Sequence, residues 1–416
     1  MARAADGTAH AASEAAARRS YGKLVAFLAA RSRDVASAED ALAEAFAVAL
    51  AQWPKTGTPV NPEAWLLTVA RRNQIDAARS RKRSLAGEPH LAVIGEELAS
   101  ANGQDMDIPD RRLALMFVCA HPAIDPAVRT PLILQTVLGL DAATIASAFL
   151  VSPASMSQRL VRAKTKIKEA GIPFREPAPE DLTERLEAVL EAIYAAYAQG
   201  WVDTDGGEPA RRGLAQEAIF LGRLLAELMP AEPEALGLAA LMLLAESRRT
   251  ARRNGAGGYV PLSEQETRRW DRPMIEEAEA LLRRASLEGR IGRFQLEAAV
   301  QSAHAARALT GRTDWPAIRI LYDALLALTA SPVVAINRAI AIAETGGPEA
   351  GLAALAGVEG YGAIAEYQPY WAAKARLLAE AGDPAGAVAA YERAIGLATD
   401  PAVRSFLQAR RQALRQ

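Results

Sequence analysis

Cysteine is nearly absent from this sequence of 416 residues, and histidine is scarce. The single cysteine, Cys119, excludes an internal disulfide bond and any zinc site built from several cysteines. Cys119 and His121 would offer only two ligands, whereas a structural zinc site takes about four. We also find no nucleophile motif and no pair of carboxylates with a plausible pocket. The sequence therefore predicts a protein that is not an enzyme and has no metal or other cofactor.

Long apolar runs are missing as well. The longest, from Leu236 to Ala245, covers about half of a membrane span and fits a buried helix. The N-terminus lacks the apolar segment of an export signal, so we expect a cytoplasmic protein that makes no use of a membrane. The formal net charge is only −1, and any affinity for nucleic acid must therefore come from locally concentrated positive charge.

The composition favours an all-α fold. Half of the residues are apolar and alanine is prominent among them. No stretch alternates apolar and polar residues with period two for long enough to predict a sheet. The chain length predicts about two to three domains.

One predicted helix, from Trp65 to Arg83 (WLLTVARRNQIDAARSRKR), has an apolar and a strongly basic face. The apolar face comprises Trp65, Leu66, Val69, Ala70 and Ala77. Six basic residues lie between Arg71 and Arg83 against the single acid Asp76, which makes a surface suited to phosphate. A solvated basic helix explains the pattern about equally well. The choice between this interpretation and a phosphate-binding surface therefore depends on a second basic helix.

That second helix belongs to a predicted helix-turn-helix. Asp141 is expected to cap a short helix through Ala148, and Ser152 to cap the next helix with Pro153 in its first turn. The second helix has a narrow apolar stripe of Met156, Leu160, Ala163 and Ile167, and an opposite face of Ser155, Gln158, Arg159, Arg162, Thr165 and Lys166. A DNA recognition helix needs one packing side and one side with donors for bases and phosphates. An ordinary amphipathic surface helix is the alternative.

A third predicted helix is acidic. The run AEDALAEAFAVALAQW predicts a helix that Ser37 opens and Pro54 stops. Glu39, Asp40 and Glu44 are expected on its exposed side. A loop rich in proline and glycine (PKTGTPVNP) then precedes the basic helix.

Residues 18–170 together resemble a bacterial sigma factor of the extracytoplasmic-function group of the sigma-70 family, which keeps only regions 2 and 4. AEDALAEAF resembles region 2.2, and PEAWLLTVARRNQIDAARSRKR resembles the end of region 2.3 with region 2.4. GLDAATIASAFLVSPASMSQRLVRAKTKIKEAG resembles region 4.2. The middle motif is fairly specific, whereas many regulators contain a helix-turn-helix. Ser157 departs from relatives that often have a basic residue there, so no promoter sequence can be transferred.

The resemblance implies two partners, promoter DNA and core RNA polymerase, the latter through its β′ clamp helices and β flap. The polymerase-facing positions are Glu39, Asp40 and Glu44. The −10 element would be held by Arg71, Arg72, Asn73, Arg79 and Arg83, and the −35 element by Ser155, Gln158, Arg159, Arg162 and Lys166. Residues 55–63 are candidates for a pocket that takes a flipped base. Unstacking a base costs roughly a few kcal/mol, and contacts to the flipped base would offset this cost.

The rest of the chain is predicted to be helical and to contain repeats. YWAAKARLLAEAGDPAGAVAAYERAIGLATDP places small residues as a tetratricopeptide repeat does, and SPVVAINRAIAIAETGGPEAGLAALAGV has the same rhythm. The whole chain thus resembles the sigma-factor group with a tetratricopeptide-like C-terminal extension. That resemblance implies control in cis, through contact between the extension and the sigma regions.

The predicted domain boundaries follow from these segments. They are a flexible arm (1–15), a sigma region 2 helical bundle (16–85), a linker (86–110), sigma region 4 (111–172, with the helix-turn-helix at 141–168), a proline-rich linker (173–180) and a helical-repeat extension (181–416). Within the extension, 232–252 and 293–309 are each predicted as one helix.

Several alternatives stay open. The segment RRTARRNGAGGYVPLSEQETRRWDR is either an inter-repeat loop with a docked Trp270 or a contact to polymerase, DNA or the sigma regions. The segment WVDTDGGEPARRG lacks the P-loop pattern, which disfavours nucleotide binding. The whole chain could also be a conventional helix-turn-helix regulator with a tetratricopeptide-type effector domain, which would bind duplex DNA alone. A tetratricopeptide scaffold with incidental basic helices would show no salt-dependent affinity for DNA.

Overall fold

The computed structural model describes residues 20–83, 110–149, 151–201, 209–358 and 362–414. Within these ranges, side chains are not described at 77–83, 147–148, 179–181, 209–212 and 362–363. The predicted arm and nearly all of the predicted linker at 86–110 lie outside the described residues. The described chain is helical apart from its connections and one isolated bridge between Arg253 and Tyr259, which confirms the predicted all-α class.

The chain divides into two compact units, Met1–Gln199 and Gly200–Gln416, called here the N-terminal and C-terminal units. The helices of the N-terminal unit are α1 (20–32), α2 (Val35–Thr56), α3 (Pro62–Arg83), α4 (Arg112–Cys119), α5 (Pro126–Leu138), α6 (Ala142–Ala148) and α7 (Pro153–Glu169). Helix α8 (Pro179–Trp201) follows, and its last two residues, Gly200 and Trp201, belong to the C-terminal unit. Among the described helices of both units, none has the length and apolar character needed to cross a membrane.

Helix α2 begins and ends slightly beyond the predicted positions. The Asp34 carboxylate accepts a hydrogen bond from the Ser37 backbone N–H, so the helix starts before Ser37. Pro54 lies inside the last turn instead of ending the helix, since a proline there removes one backbone hydrogen bond only. Gly57, with φ +84°, ends it. The Trp53 ring of α2 meets the Trp65 ring of α3 edge to face at 5.5 Å, which joins the two helices.

The caps predicted for α6 and α7 are present. Asp141 accepts hydrogen bonds from the backbone N–H groups of Ala143 and Thr144, and Ser152 accepts one from Ser155. The four residues of the predicted apolar stripe of α7 are its buried residues: Met156, Leu160, Ala163 and Ile167. The stripe therefore fixes which face of α7 turns outward.

Helices α1 and α5 approach so closely that the segments predicted as two sigma regions form one compact unit. A Cβ atom on Gly22 would lie 2.1 Å from the Val137 carbonyl oxygen. Gly139, with φ +72°, ends α5 against the Tyr21 ring. Glycine is required at both positions, at the first by the close backbone contact and at the second by its conformation.

The helices of the C-terminal unit are α9 (Pro209–Leu228), α10 (Pro233–Glu246), α11 (Arg272–Leu287), α12 (Arg293–Ala305), α13 (Arg307–Thr310), α14 (Trp315–Thr329), α15 (Pro332–Gly346), α16 (Pro348–Ala356), α17 (Gln368–Glu380), α18 (Pro384–Leu397) and α19 (Pro401–Ala413). Helix α10 holds the longest apolar run and is buried over most of its length, as predicted. It packs against α9, α11 and α12.

Two of the predicted helices are shorter than expected. The helix predicted over 232–252 ends at Glu246, because the Ser247 carbonyl accepts a hydrogen bond from the Asp271 N–H and the chain turns away. Short 3-10 turns follow at Arg249–Arg252, Leu262–Glu264 and Thr267–Arg269. The helix predicted over 293–309 breaks at Ala306 into α12 and α13.

The basic segment around Trp270 is engaged within the C-terminal unit. Trp270 is buried, and its indole N–H donates to the Gln265 side-chain oxygen at 3.3 Å. Arg253 pairs with Asp400 at 2.6 Å, and Arg269 donates to the Arg253 carbonyl. These contacts favour the interpretation of this segment as a loop with a docked tryptophan.

The crossing of α10 and α12 yields a stability prediction. A Cβ atom on Gly237 would lie 2.6 Å from the Gln295 backbone nitrogen, so Gly237→Ala must push two helix backbones apart. We expect it to lower the free energy of unfolding of the C-terminal unit by about 1–3 kcal/mol, measured by chemical denaturation. Gly396→Ala in α18 is the control, because nothing lies within 4 Å of its added carbon. Equal stability of the two variants would contradict the prediction.

Candidate nucleic-acid interface

Helix α3 turns its apolar side into the N-terminal unit, and this orients the residues predicted to contact the −10 element. The buried residues are Ala64, Trp65, Leu66, Leu67, Val69 and Ala70. They include every described residue of the predicted apolar face. Arg71, Arg72 and Asn73 follow directly and are each half-buried. The side chains of Arg79 and Arg83 lie outside those that the structure describes.

Arg71 stacks on an aromatic ring. Its guanidinium carbon lies 4.9 Å from the centre of the Phe27 ring of α1. Burial, and next the charge of Arg31, lower the pKa of Arg71, yet a guanidinium stays protonated at neutral pH. A cation held on a ring keeps its full charge, so Arg71 still contributes positive potential at this edge of α3.

Asn73 faces α2 and a cleft between helices. Its side-chain amide donates to the Ala41 carbonyl at 3.4 Å. The same side chain lines an open cleft of about 810 Å³ between α2, α3 and α7, together with Asp40, Glu44 and Lys164. One predicted DNA contact and two predicted polymerase contacts therefore share one concave surface.

Helix α7 presents the residues predicted for the −35 element on its outer face. Gln158, Arg159, Arg162 and Lys166 are exposed, and Ser155 is half-buried near the capped start of the helix. The buried stripe on the opposite face sets this orientation. The outer face combines three cations with an amide and a hydroxyl, which are the groups that contact phosphates and base edges.

The three acidic residues of α2 were expected to lie on its exposed side, but one of them does not. Asp40 and Glu44 are exposed, but Glu39 is buried, with 8% of its surface accessible. The expectation for Glu39 is wrong because α7 packs over this part of α2. Glu39 forms an ion pair there with Lys164 of α7, whose own side chain is 12% exposed.

Burial dominates the electrostatics of this ion pair. It raises the pKa of Glu39 against the lowering effect of Lys164, and nearby Asp40 raises it further. One Glu39 carboxylate oxygen, Oε1, is buried with no hydrogen-bond partner in the described part of the chain. A second link between the same helices lies nearer solvent, where Lys168 pairs with Asp34 at 2.7 Å.

Comparison with known proteins adds sequence relationships to this geometry. A family model described as Sigma-70 region 2 matches residues 17–84, which contain α1 to α3. A family of unknown function (DUF6596) matches residues 185–286. An uncharacterized protein of Rhizobium meliloti (strain 1021) is 41% identical over 386 residues, covering 90% of this chain and 89% of that protein. No solved structure matches the chain.

The chain belongs to one family with that protein and carries sigma-70 region 2. This region supports a general role as an RNA polymerase sigma factor of the sigma-70 family. It also implies interaction with core RNA polymerase and with DNA.

Sequence reasoning missed the contact between region 2 and α7. Lys164 and Lys168 of α7 both turn toward α2, where they pair with Glu39 and Asp34. The sequence shows opposite charges on two amphipathic helices, and nothing in either pattern says that these helices meet. The contact removes one acid and one lysine from the surfaces that partners could reach.

The buried ion pair leads to a prediction about pH. Because the pKa of Glu39 is raised, the folded state holds its proton more tightly than the unfolded state. The associated stability is complete below the ordinary value of 4.5 and is lost as the pH rises through the folded-state pKa. Relative to Glu39→Gln, the wild-type chain should therefore lose stability as the pH rises above this ordinary value.

Urea unfolding of the two proteins across this pH range measures the difference. The exposed Glu44→Gln variant is the control, because it removes an acid of α2 that lies outside the ion pair with Lys164. A wild type that gains stability over Glu39→Gln as the pH rises would mean that pairing with Lys164 outweighs burial.

Proposed function

We propose that this chain is a sigma factor of the extracytoplasmic-function group with a tetratricopeptide-like extension. Helix α3 contacts the −10 element, α7 reads the −35 element, and the C-terminal unit modulates activity in cis. The observation that carries the proposal is the exposed cationic face of α7 in the same compact unit as the sigma-70 region 2 match.

Recognition of the −35 element is assigned to the outer face of α7. Arg159, Arg162 and Lys166 are exposed there and supply phosphate contacts, while Gln158 and Ser155 supply donors and acceptors for base edges. Four buried residues hold the opposite face. Entry into a major groove needs such a helix, supported from one side only.

Recognition of the −10 element is assigned to α3 and the loop before it. Arg71 and Arg72 lie at its edge with Asn73, and the resemblance extends the set to Arg79 and Arg83. Residues 57–61 form the described loop between α2 and α3, inside the range 55–63 proposed for a flipped base. Val60 in this loop is 94% exposed, so the loop presents an apolar side chain on which an unstacked base can rest.

Contact with core polymerase is assigned to α2, with the β′ clamp helices as partner of its acids. Asp40 and Glu44 are exposed and line the cleft, so a partner can reach them without any movement of α7. Glu39 is covered by Lys164. The set Glu39, Asp40 and Glu44 is therefore complete only after α7 has left α2. The β flap is the proposed partner of the α4 to α7 segment.

Promoter geometry requires the same separation. The names of the two elements place them about 25 base pairs apart, which is roughly 85 Å along B-DNA. Side chains of α3 and α7 line one cleft in this structure, so the two helices cannot reach both elements together. We infer that binding to polymerase and promoter parts α7 from α2 and breaks the Glu39–Lys164 and Lys168–Asp34 pairs.

The tetratricopeptide-like character of the extension has local support. Helices α15 and α16 pack against each other, as do α17 and α18, and each pair is joined by a short turn. In the second pair Gly382 has φ +82°, and Ala387, Tyr391 and Ala394 are buried. Small residues at such positions let the helices approach closely. A helical array of this kind offers a binding surface, which suits contact with the sigma regions.

The role of α7 is tested by Arg162→Ala in the full chain. We expect promoter binding by the complex with core polymerase to weaken by roughly tenfold or more, with a shallower salt dependence by about one unit of slope. Arg175→Ala is the matched control, because Arg175 is exposed but lies outside α7. Equal losses in the two variants would leave α7 without a specific role.

Run-off transcription with core polymerase separates the proposal from a conventional regulator. A sigma factor directs initiation only together with core polymerase, whereas a conventional regulator binds duplex DNA alone. Modulation in cis is tested in the same assay with a chain that ends at Trp201, which keeps α8 whole. Unchanged activity and promoter choice in that shortened chain would refute modulation by the C-terminal unit.

A further inference from the structure

A cavity of about 680 Å³ lies within the C-terminal unit, and the proposed function does not use it. Four arginines contribute to its wall, Arg248, Arg252, Arg307 and Arg376, whereas the carboxylate among its described lining residues is that of Glu344. Positive charge concentrated in a concave space raises the local concentration of anions. The cavity is therefore suited to a negatively charged ligand.

The bonds that hold Arg307 leave its charge in place. It donates to the backbone carbonyls of Leu262, Ser263 and Gln265, each at 2.9 Å, and lies over the Trp270 ring at 5.1 Å. Carbonyl oxygens and a ring orient a guanidinium without cancelling its charge. Such pre-ordering reduces the entropy that a ligand would otherwise lose by fixing this side chain.

Aromatic side chains line the same cavity. They include Trp201, Trp315 and Tyr322. The Trp201 ring lies under Arg252 at 4.3 Å, and the Trp315 ring meets His304 edge to face at 5.5 Å. Burial, helped by Arg248 and Arg307, lowers the pKa of His304 to about 4, so this imidazole is neutral at pH 7. Rings next to cations make a surface that takes a planar group with an acidic substituent.

We propose that this cavity binds a small organic anion, with its planar ring among the aromatic side chains and its carboxylate or phosphate on the arginines. The volume lies within the range of about 300–1,000 Å³ that is typical of small-molecule sites. It is too small for a folded protein or a nucleic-acid duplex. Carboxylate and phosphate share the geometry that a guanidinium recognises, and the experiment distinguishes them.

Isothermal titration calorimetry on the full chain tests this directly. The carboxylate arm compares benzoate with benzyl alcohol, and the phosphate arm compares adenosine 5′-monophosphate with adenosine and with inorganic phosphate. At least one ring-bearing anion should bind at one site per chain, at least about tenfold more tightly than its neutral counterpart. Absence of binding by both anions, or equal binding of the neutral compounds, overturns the proposal.

Two variants place the binding in this cavity. Arg376→Gln removes the partner of Glu344, which Arg376 contacts at 2.7 Å, and so makes the cavity less positive. Asn337→Phe fills part of the cavity without changing charge. Each should weaken binding by at least about tenfold. Arg268→Gln is the control, since Arg268 is 82% exposed and does not line the cavity.

Thermal unfolding without ligand checks that each variant is folded. Two folded variants that bind the anion like wild type, or a control that loses as much affinity as they do, overturn the assignment. The readout is binding and not transcription. Failure here therefore leaves the proposed sigma-factor function intact, and failure of that function leaves this site intact.

Discussion

The ion pair between Glu39 and Lys164 is the contact on which the arrangement of the N-terminal unit depends. It joins a helix of region 2 to the basic helix α7, and both side chains are largely buried. Burying two charges costs hydration energy, and their mutual attraction offsets this cost only where the geometry is good. One Glu39 oxygen has no hydrogen-bond partner in the described residues, and the pKa of this carboxyl is raised. Both observations indicate that the attraction offsets only part of the lost hydration energy. A second ion pair, between Lys168 and Asp34, joins the same two helices nearer solvent.

An incompletely compensated ion pair suits an interface that parts in the proposed function. Breaking it returns both charges to water, which recovers hydration energy and lowers the cost of separation. The outer face of α7 is exposed whether or not the pair is formed, so the cations available to DNA do not depend on it. The acids of α2 do depend on it, because Glu39 becomes accessible only after α7 moves. Access to polymerase and release of α7 are thereby coupled in the proposed function.

Arginine occupies two different kinds of position in the two units. On α7 the guanidinium groups of Arg159 and Arg162 point outward from a helix that is held by apolar packing on its other side. In the C-terminal unit, Arg307 is turned inward onto backbone carbonyls and the Trp270 ring. In the proposals above, the outward cations of α7 contact the backbone of a nucleic acid, and the inward cations of the cavity bind a small anion. A chain with almost no net charge can thus contain two separate positive surfaces.

The sequence by itself determined the all-α class, the caps of α6 and α7 and the buried face of α7. The stripe of α7, the Asp141 and Ser152 caps and the buried α10 were all predictable, because periodicity and capping depend on residues within a turn or two of one another. Only the tertiary structure decided that Glu39 is buried, that Lys164 and Lys168 turn toward α2, and that Trp201, Arg307 and Arg376 surround one cavity. These facts depend on which helices approach each other across long stretches of chain. An amphipathic pattern says which face is buried and does not say against what.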